Sequence, residues 1–177
     1  DSRALAEMLK TLNSLPQPTI ARIQGATFGG AVGLVSCCDM AIASERASFC
    51  LSEVKIGLVP ATISPYVIAA IGQRASRRYF TTAERFDAQT AQQLGLISQV
   101  TDADKLDSAV EEIITTLLAN GPIAIKHAKQ LIFNISGKSI DNALIEQTCE
   151  VIAATRVSDE GQEGLNAFLE KRSPKWI

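Results

Sequence analysis

Gly25-Ala-Thr-Phe-Gly-Gly-Ala-Val-Gly-Leu-Val-Ser-Cys-Cys-Asp39 decides how this chain is read. It follows a strand-like run, Thr19-Ile-Ala-Arg-Ile-Gln24. Gly25, Gly29, Gly30 and Gly33 fall within it, and an apolar, helix-compatible segment then runs to Asp39. A strand, a glycine turn and a helix in succession aim free backbone N–H groups at whatever sits above the helix start. Such a place suits an anion, or an oxygen that becomes anionic.

Working outward, Asp39–Ser44 and Ala47–Leu51 read as two further short apolar strands. Short connections between strands and helices favour an α/β arrangement over separate α and β blocks. Upstream, Ser2 is placed to cap a helix with Leu5, Met8, Leu9 and Leu12 on one face, and Leu15-Pro16-Gln17-Pro18 ends it. Downstream, Gly57 and Pro60 shape a turn after Ser52-Glu53-Val-Lys-Ile. Ile63–Gly72 is an apolar helix candidate and Gln73–Thr81 a more exposed one carrying Arg74, Arg77 and Arg78. Ala88–Leu94 is amphipathic, Gly95 stops it, and Leu96–Val100 reads as a strand. From Asp102 the pattern is helical, over Asp104–Ala119, Ile123–Ile135, Ile140–Val157 and Glu160–Lys171. The expected organisation is a mixed core over residues 1–101 and a helical region over 102–177, with no internal repeat and no linker.

Composition narrows the functions. The formal charge of −2 is spread over well-mixed residues, which gives no reason to expect nucleic acid. No apolar run reaches membrane-spanning length, and no basic region followed by an apolar core opens the chain, so neither a membrane nor a secretory signal is expected. Cys37, Cys38, Cys50 and Cys149 form no Cys-x-x-Cys pair and there is one histidine. Neither a metal nor a disulfide framework is expected; reduced, buried cysteines in a cytoplasmic protein are.

Three groups could carry chemistry. Gly29-Gly30 lacks the Gly-Lys-Ser/Thr of a P-loop and the Gly-x-Gly-x-x-Gly of a dinucleotide turn. The glycines serve either a developing anion or simply a tight turn with close packing. Glu53 stands among Phe49, Cys50, Leu51, Val54 and Ile56, unlike the glutamates of the charged helices. A carboxylate in apolar surroundings can exchange protons near neutrality. The alternative is an edge glutamate paired with Lys55 or an arginine. His127, beside Lys126 and Lys129, reads as a surface residue, and Asp39 as a partner for backbone groups. Arg74, Arg77 and Arg78 either hold an anionic group or form a solvated face.

With these segments in order, the chain resembles the enoyl-CoA hydratase/isomerase (crotonase) superfamily. The matching residues are Pro18–Gly25, Phe28–Asp39, Ala47–Glu53, Gly57–Pro60, Thr81–Asp87, Ala91–Ile97 and Glu163–Arg172. They cover nearly the whole chain. Ile56–Val67 with Arg77–Asp87 looks most like the bacterial methylglutaconyl-CoA hydratase group. The resemblance implies a crotonase-like spiral of ββα units and a C-terminal helical region that drives assembly into a homotrimer or a dimer of trimers. It implies an acyl-CoA thioester as substrate, with coenzyme A part of the substrate and no other cofactor.

The resemblance also implies roles. The N–H of Gly30 is one of two that hold the thioester oxygen as it becomes an enolate. The second belongs to an N-terminal segment of the family domain that these 177 residues do not include, and without it little turnover is expected. Glu53 matches a glutamate that exchanges protons with substrate or water. Phe28, Gly29, Gly33, Pro60 and Ala61 match positions around the substrate. Phe168 and Lys171 match positions that touch the CoA of a neighbouring subunit, an aromatic near adenine and a lysine near phosphate. The sequence departs from the two-glutamate hydratases at Gly33, where they carry the other carboxylate. Hydration of an enoyl-CoA, 3-methylglutaconyl-CoA foremost, is the leading expectation. Isomerisation of a 3-enoyl-CoA to a 2-enoyl-CoA by one glutamate is the second, and non-catalytic binding of acyl-CoA the third.

Overall fold

The structure, a computed structural model, describes residues 1–177. Helix α1 (Ser2–Ser14) opens it, with Leu9 fully buried and Leu5 and Leu12 packed against the core. Asp1, not Ser2, stands at its cap, because the Leu5 N–H already donates to the Asp1 carbonyl. Strand β1 (Ile20–Ile23) follows, and then a strand the sequence does not signal, β2 (Ala26–Phe28). Three residues after Gly25 are too few to show an alternating pattern. Helix α2 (Gly30–Cys37), β3 (Met40–Ser44) and β4 (Ser48–Cys50) come next.

β1 pairs in parallel with β3, with Ile20 opposite Met40. β2 pairs in parallel with β4, with Ala26 opposite Ser48. Each strand therefore lies beside its counterpart from the next β-β-helix unit, and the chain winds as a short solenoid. The sequence shows no repeat because each strand holds three to five residues with little in common. After helix α3 (Ser64–Thr82), β5 (Phe86–Asp87) joins β4 antiparallel. Helix α4 (Ala88–Gln93) leads to β6 (Gln99–Thr101), which joins β3 in parallel. The β6 strand starts later than Leu96 for a physical reason. The N–H groups of Leu96 and Ile97 are taken by the Ala91 carbonyl at the end of α4, so neither is free for a ladder.

The core of this first unit, Asp1–Glu112, is filled by Leu9, Val32, Phe49, Leu51, Ile63, Val67 and Phe86. Phe49 and Phe86 stack at 5.5 Å, and Tyr79 leans on Phe86 at 4.4 Å. α3 bends at Gly72, where φ is 74°, so the two helices read from the sequence join across a kink.

The second unit, Ile113–Ile177, is helical. Helix α5 (Leu106–Leu118) runs into it after a short 3-10 turn at Ala103–Lys105. Helices α6 (Pro122–Ile135), α7 (Asn142–Val157) and α8 (Asp159–Glu170) complete it. Pro122 starts α6 where a missing N–H does no harm. Asp141 accepts from the Leu144 N–H and Ser158 from the Gly161 N–H, which fixes the starts of α7 and α8. No helix is long and apolar enough to cross a membrane.

Candidate active site

The site forms where β2 gives way to α2. Gly29 sits at φ 53° and ψ −123°, a conformation reserved for glycine. Its N–H donates to the Cys50 carbonyl at 2.8 Å, which ties the turn to the end of β4. Gly30 is the first residue of α2, so its N–H has no acceptor within the helix and points out at the helix's positive end. Two residues beyond β4 and Leu51, Glu53 opens a 3-10 turn, Glu53–Ile56, closed by Gly57 at φ 74°. The Leu58 N–H donates to the Glu53 carbonyl at 3.0 Å and locks that turn.

This brings the Glu53 carboxylate against Gly29. A Cβ placed on Gly29 would lie 3.3 Å from Glu53 Oε1 and 3.7 Å from its Cδ. The other oxygen, Oε2, is buried and has no hydrogen-bond partner. Glu53 forms no ion pair with Lys55 or with any arginine, so the edge-glutamate alternative is corrected. A buried, unpartnered carboxylate oxygen beside a free helix N-terminus is a place where a proton can be taken up and an anion held at once. Ile56, grouped with the apolar neighbours of Glu53 in the sequence, is instead exposed, as are Leu58 and Val59.

Gly33 lies one turn along α2 from Gly30, on the same face. Ile63, 2% exposed, occupies the space beside it. A Cβ on Gly33 would lie 2.2 Å from Ile63 Cγ2 and 2.6 Å from Ile63 Cβ. Glycine at 33 is therefore a packing requirement as well as the lack of a carboxylate. The sequence marks Ile63 only as the start of a helix; its place opposite Gly33 is visible only in three dimensions.

Of the other residues, Phe28 carries the Arg85 guanidinium over its ring at 4.9 Å. Pro60 is buried and Ala61 exposed in the turn before α3. Phe168 and Lys171 lie in the second unit, Phe168 80% exposed and Lys171 at the end of α8 with φ 54°. Asp39 accepts from the N–H and hydroxyl of Thr19, a backbone-bonding role as read. His127 is exposed on α6. Arg78 pairs with Glu84 through two hydrogen bonds, while Arg74 and Arg77 stay on the solvated face. Cys37 and Cys50 are buried, Cys38 half-buried, and Cys149 is exposed on α7, a correction to the expectation that all are buried. Burial, and then the neighbouring Cys38, push the Cys37 thiol up to about 11.

The family model described as enoyl-CoA hydratase/isomerase matches residues 2–177. An enoyl-CoA hydratase of Shewanella pealeana of known structure is 54% identical, over 99% of this chain and 65% of its own, with a TM-score of 0.93. An enoyl-CoA hydratase/isomerase of Marinobacter aquaeolei is 32% identical, over 99% of this chain and 66% of its own, with a TM-score of 0.92. The short-chain-enoyl-CoA hydratase of Clostridium acetobutylicum is 28% identical, over 94% of this chain and 64% of its own length. The chain thus spans 64% to 66% of these three proteins. It belongs to the enoyl-CoA hydratase/isomerase family and has the crotonase fold.

Proposed function

We propose that this protein adds water reversibly across the α,β double bond of an enoyl-CoA thioester. The observation that carries this is the Glu53 carboxylate seated against Gly29 with Oε2 buried and unpartnered, next to the start of α2. In the forward direction Glu53 takes a proton from water as its oxygen bonds to the β-carbon. The electron pair of the double bond moves to the thioester oxygen, which the Gly30 N–H receives. Glu53, now an acid, returns the proton to the α-carbon, and the carbonyl re-forms. One carboxylate thus acts first as base and then as acid, and atoms balance without another group.

The acyl group we assign is 3-methylglutaconyl, on the likeness of Ile56–Val67 and Arg77–Asp87 to that group of hydratases. The nucleotide end of the CoA meets Phe168 and Lys171 of a neighbouring copy in a homotrimer or a dimer of trimers. Glu53→Gln in the complete protein is expected to lower turnover about 10²- to 10⁴-fold, followed as loss of enoyl-thioester absorbance. Unchanged turnover in that variant overturns the role of Glu53.

The closed space at Gly33 favours a second reading. With Ile63 filling the place of any side chain there, one carboxylate serves the turn, and one suffices to move a proton between two carbons. Isomerisation of a 3-enoyl-CoA, assayed with the same enzyme and free of hydratase, separates the two: product only from the 3-enoyl substrate replaces hydration by isomerisation.

A further inference from the structure

Arg85 is a cation that no acid neutralises. β2 sets Phe28 opposite Cys50 on β4, and β5 sets Phe86 opposite Phe49. Side chains alternate along a strand. Phe49 and Phe86 therefore stack in the core, while Phe28 and Cys50, with Arg85 just before β5, fall on the opposite face. The Arg85 side chain crosses β4 and lays its guanidinium over the Phe28 ring, 4.9 Å from the centroid.

The acids beside it in sequence are engaged elsewhere. Glu84 takes two hydrogen bonds from the Arg78 guanidinium and a third from the Thr82 hydroxyl, at 3.1 Å. Asp87 accepts the Thr90 N–H at 2.8 Å as the cap of α4. Arg85 itself is exposed, and its side chain makes no ion pair and no hydrogen bond. A contact with an aromatic ring satisfies none of the five guanidinium N–H donors, so all of them stay free for an anion. The ring beneath belongs to the residue that precedes Gly29, against which the Glu53 carboxylate is seated, and Gly30, whose N–H heads α2. A free cation bordering the turn that holds the reacting carbons is placed for a charge on the acyl group itself.

We infer that Arg85 sets specificity at this site: its guanidinium, held over Phe28, takes the free carboxylate of an enoyl thioester built on a dicarboxylic acid. This rests on the acyl-CoA reading above. In a 3-methylglutaconyl thioester that carboxylate stands two carbons beyond the β-carbon that water attacks. A guanidinium fork matches a carboxylate through two parallel bonds, and the ring contact holds the fork ready before substrate arrives.

The test uses the complete protein and two thioesters of one length. They are 3-methylglutaconyl-CoA and 3-methylpent-2-enoyl-CoA, in which a methyl group replaces the carboxylate. The readout is the ratio of their kcat/KM values. Arg85→Gln is expected to lower that ratio about ten- to hundredfold, mostly through KM of the dicarboxylic thioester, as for the loss of a charge-assisted hydrogen bond. Arg85→Lys, which keeps the charge without the fork, is expected to fall between. Arg74→Gln, on the solvated face, leaves the ratio as it was. Equal losses on both thioesters, as from a mere prop for Phe28 or a contact with a CoA phosphate, overturn the inference. So does an unchanged ratio in Arg85→Gln, or an equal fall in Arg74→Gln. Calorimetric titration with glutaryl-CoA and pentanoyl-CoA, which have no double bond to react, reads the seat without turnover. Tighter binding of glutaryl-CoA that is lost in Arg85→Gln supports it, and equal binding of the two by the parent protein overturns it. A parent protein that turns over neither enoyl thioester removes the proposed activity alone, and the titration still decides this seat.

Discussion

At Gly33 two residue-level effects oppose each other. Replacing a helical glycine by alanine ordinarily stabilises by about 0.5–1 kcal/mol. Here the new Cβ would meet Ile63 at 2.2 Å, and overpacking of a filled core costs about 1–3 kcal/mol. Gly33→Ala is therefore expected to lower the urea midpoint. Ile63→Ala alone leaves a cavity, at about 2–5 kcal/mol. Gly33→Ala with Ile63→Ala is expected to be less destabilised than the sum of the two; strict additivity rejects the contact. The cysteines give a second residue-level expectation. With its thiol pushed up to about 11, Cys37 carries almost no thiolate at pH 8, and it is buried as well. Alkylation at pH 8 should modify exposed Cys149 first and leave Cys37 until the protein unfolds, as peptide mapping would show.

Among the elements, α6 owes its start to a distant side chain. Glu160, in the first turn of α8, accepts from the N–H groups of Ile123 at 3.0 Å and Ala124 at 2.6 Å. Gly121 leaves room for it, since a Cβ there would lie 2.6 Å from Glu160 Oε1. A carboxylate at a helix N-terminus gains from both the bonds and the helix dipole. Glu160→Gln should cost about 1 kcal/mol and speed hydrogen exchange at Ile123 and Ala124; unchanged exchange at those amides would remove Glu160 as the cap. Such a contact across thirty-odd residues leaves no local sequence signal, and the same holds for the shorter strands. Helices α4, α6, α7 and α8 were legible from periodicity, capping residues and glycine stops. β2 and β5 were not, because two or three residues show no period. At the site, Gly29, Gly30 and Glu53 were legible as a turn and a carboxylate in apolar company. Ile63 beside Gly33 and Arg85 over Phe28 needed the fold to bring distant residues together.

For the whole molecule, the second unit leaves Ile132, Ile140, Ile152, Val157 and Leu169 exposed. Where such side chains form one contiguous patch, they mark a surface of association. With the assembly proposed above, sedimentation of the complete protein is expected to give the mass of a trimer or a hexamer, and a monomer at micromolar concentration would reject it. Assembly and activity are linked in this scheme, because Phe168 and Lys171 serve the CoA of another copy. Dilution below the dissociation constant of the assembly should then raise KM for CoA thioesters while leaving pantetheine thioesters alone.

The fit of Ile63 against Gly33 also bears on how such a protein changes over time. Adding a carboxylate at 33 first meets a filled wall; trimming Ile63 first opens a void. Either single step passes through a weakened protein, and the pair together costs less than the two steps summed. Lineages with an acidic residue at 33 should therefore carry glycine or another small residue at 63, a linked pair of sites that an alignment can check. A paired change at positions 33 and 63 then separates one-carboxylate from two-carboxylate descendants of a single fold.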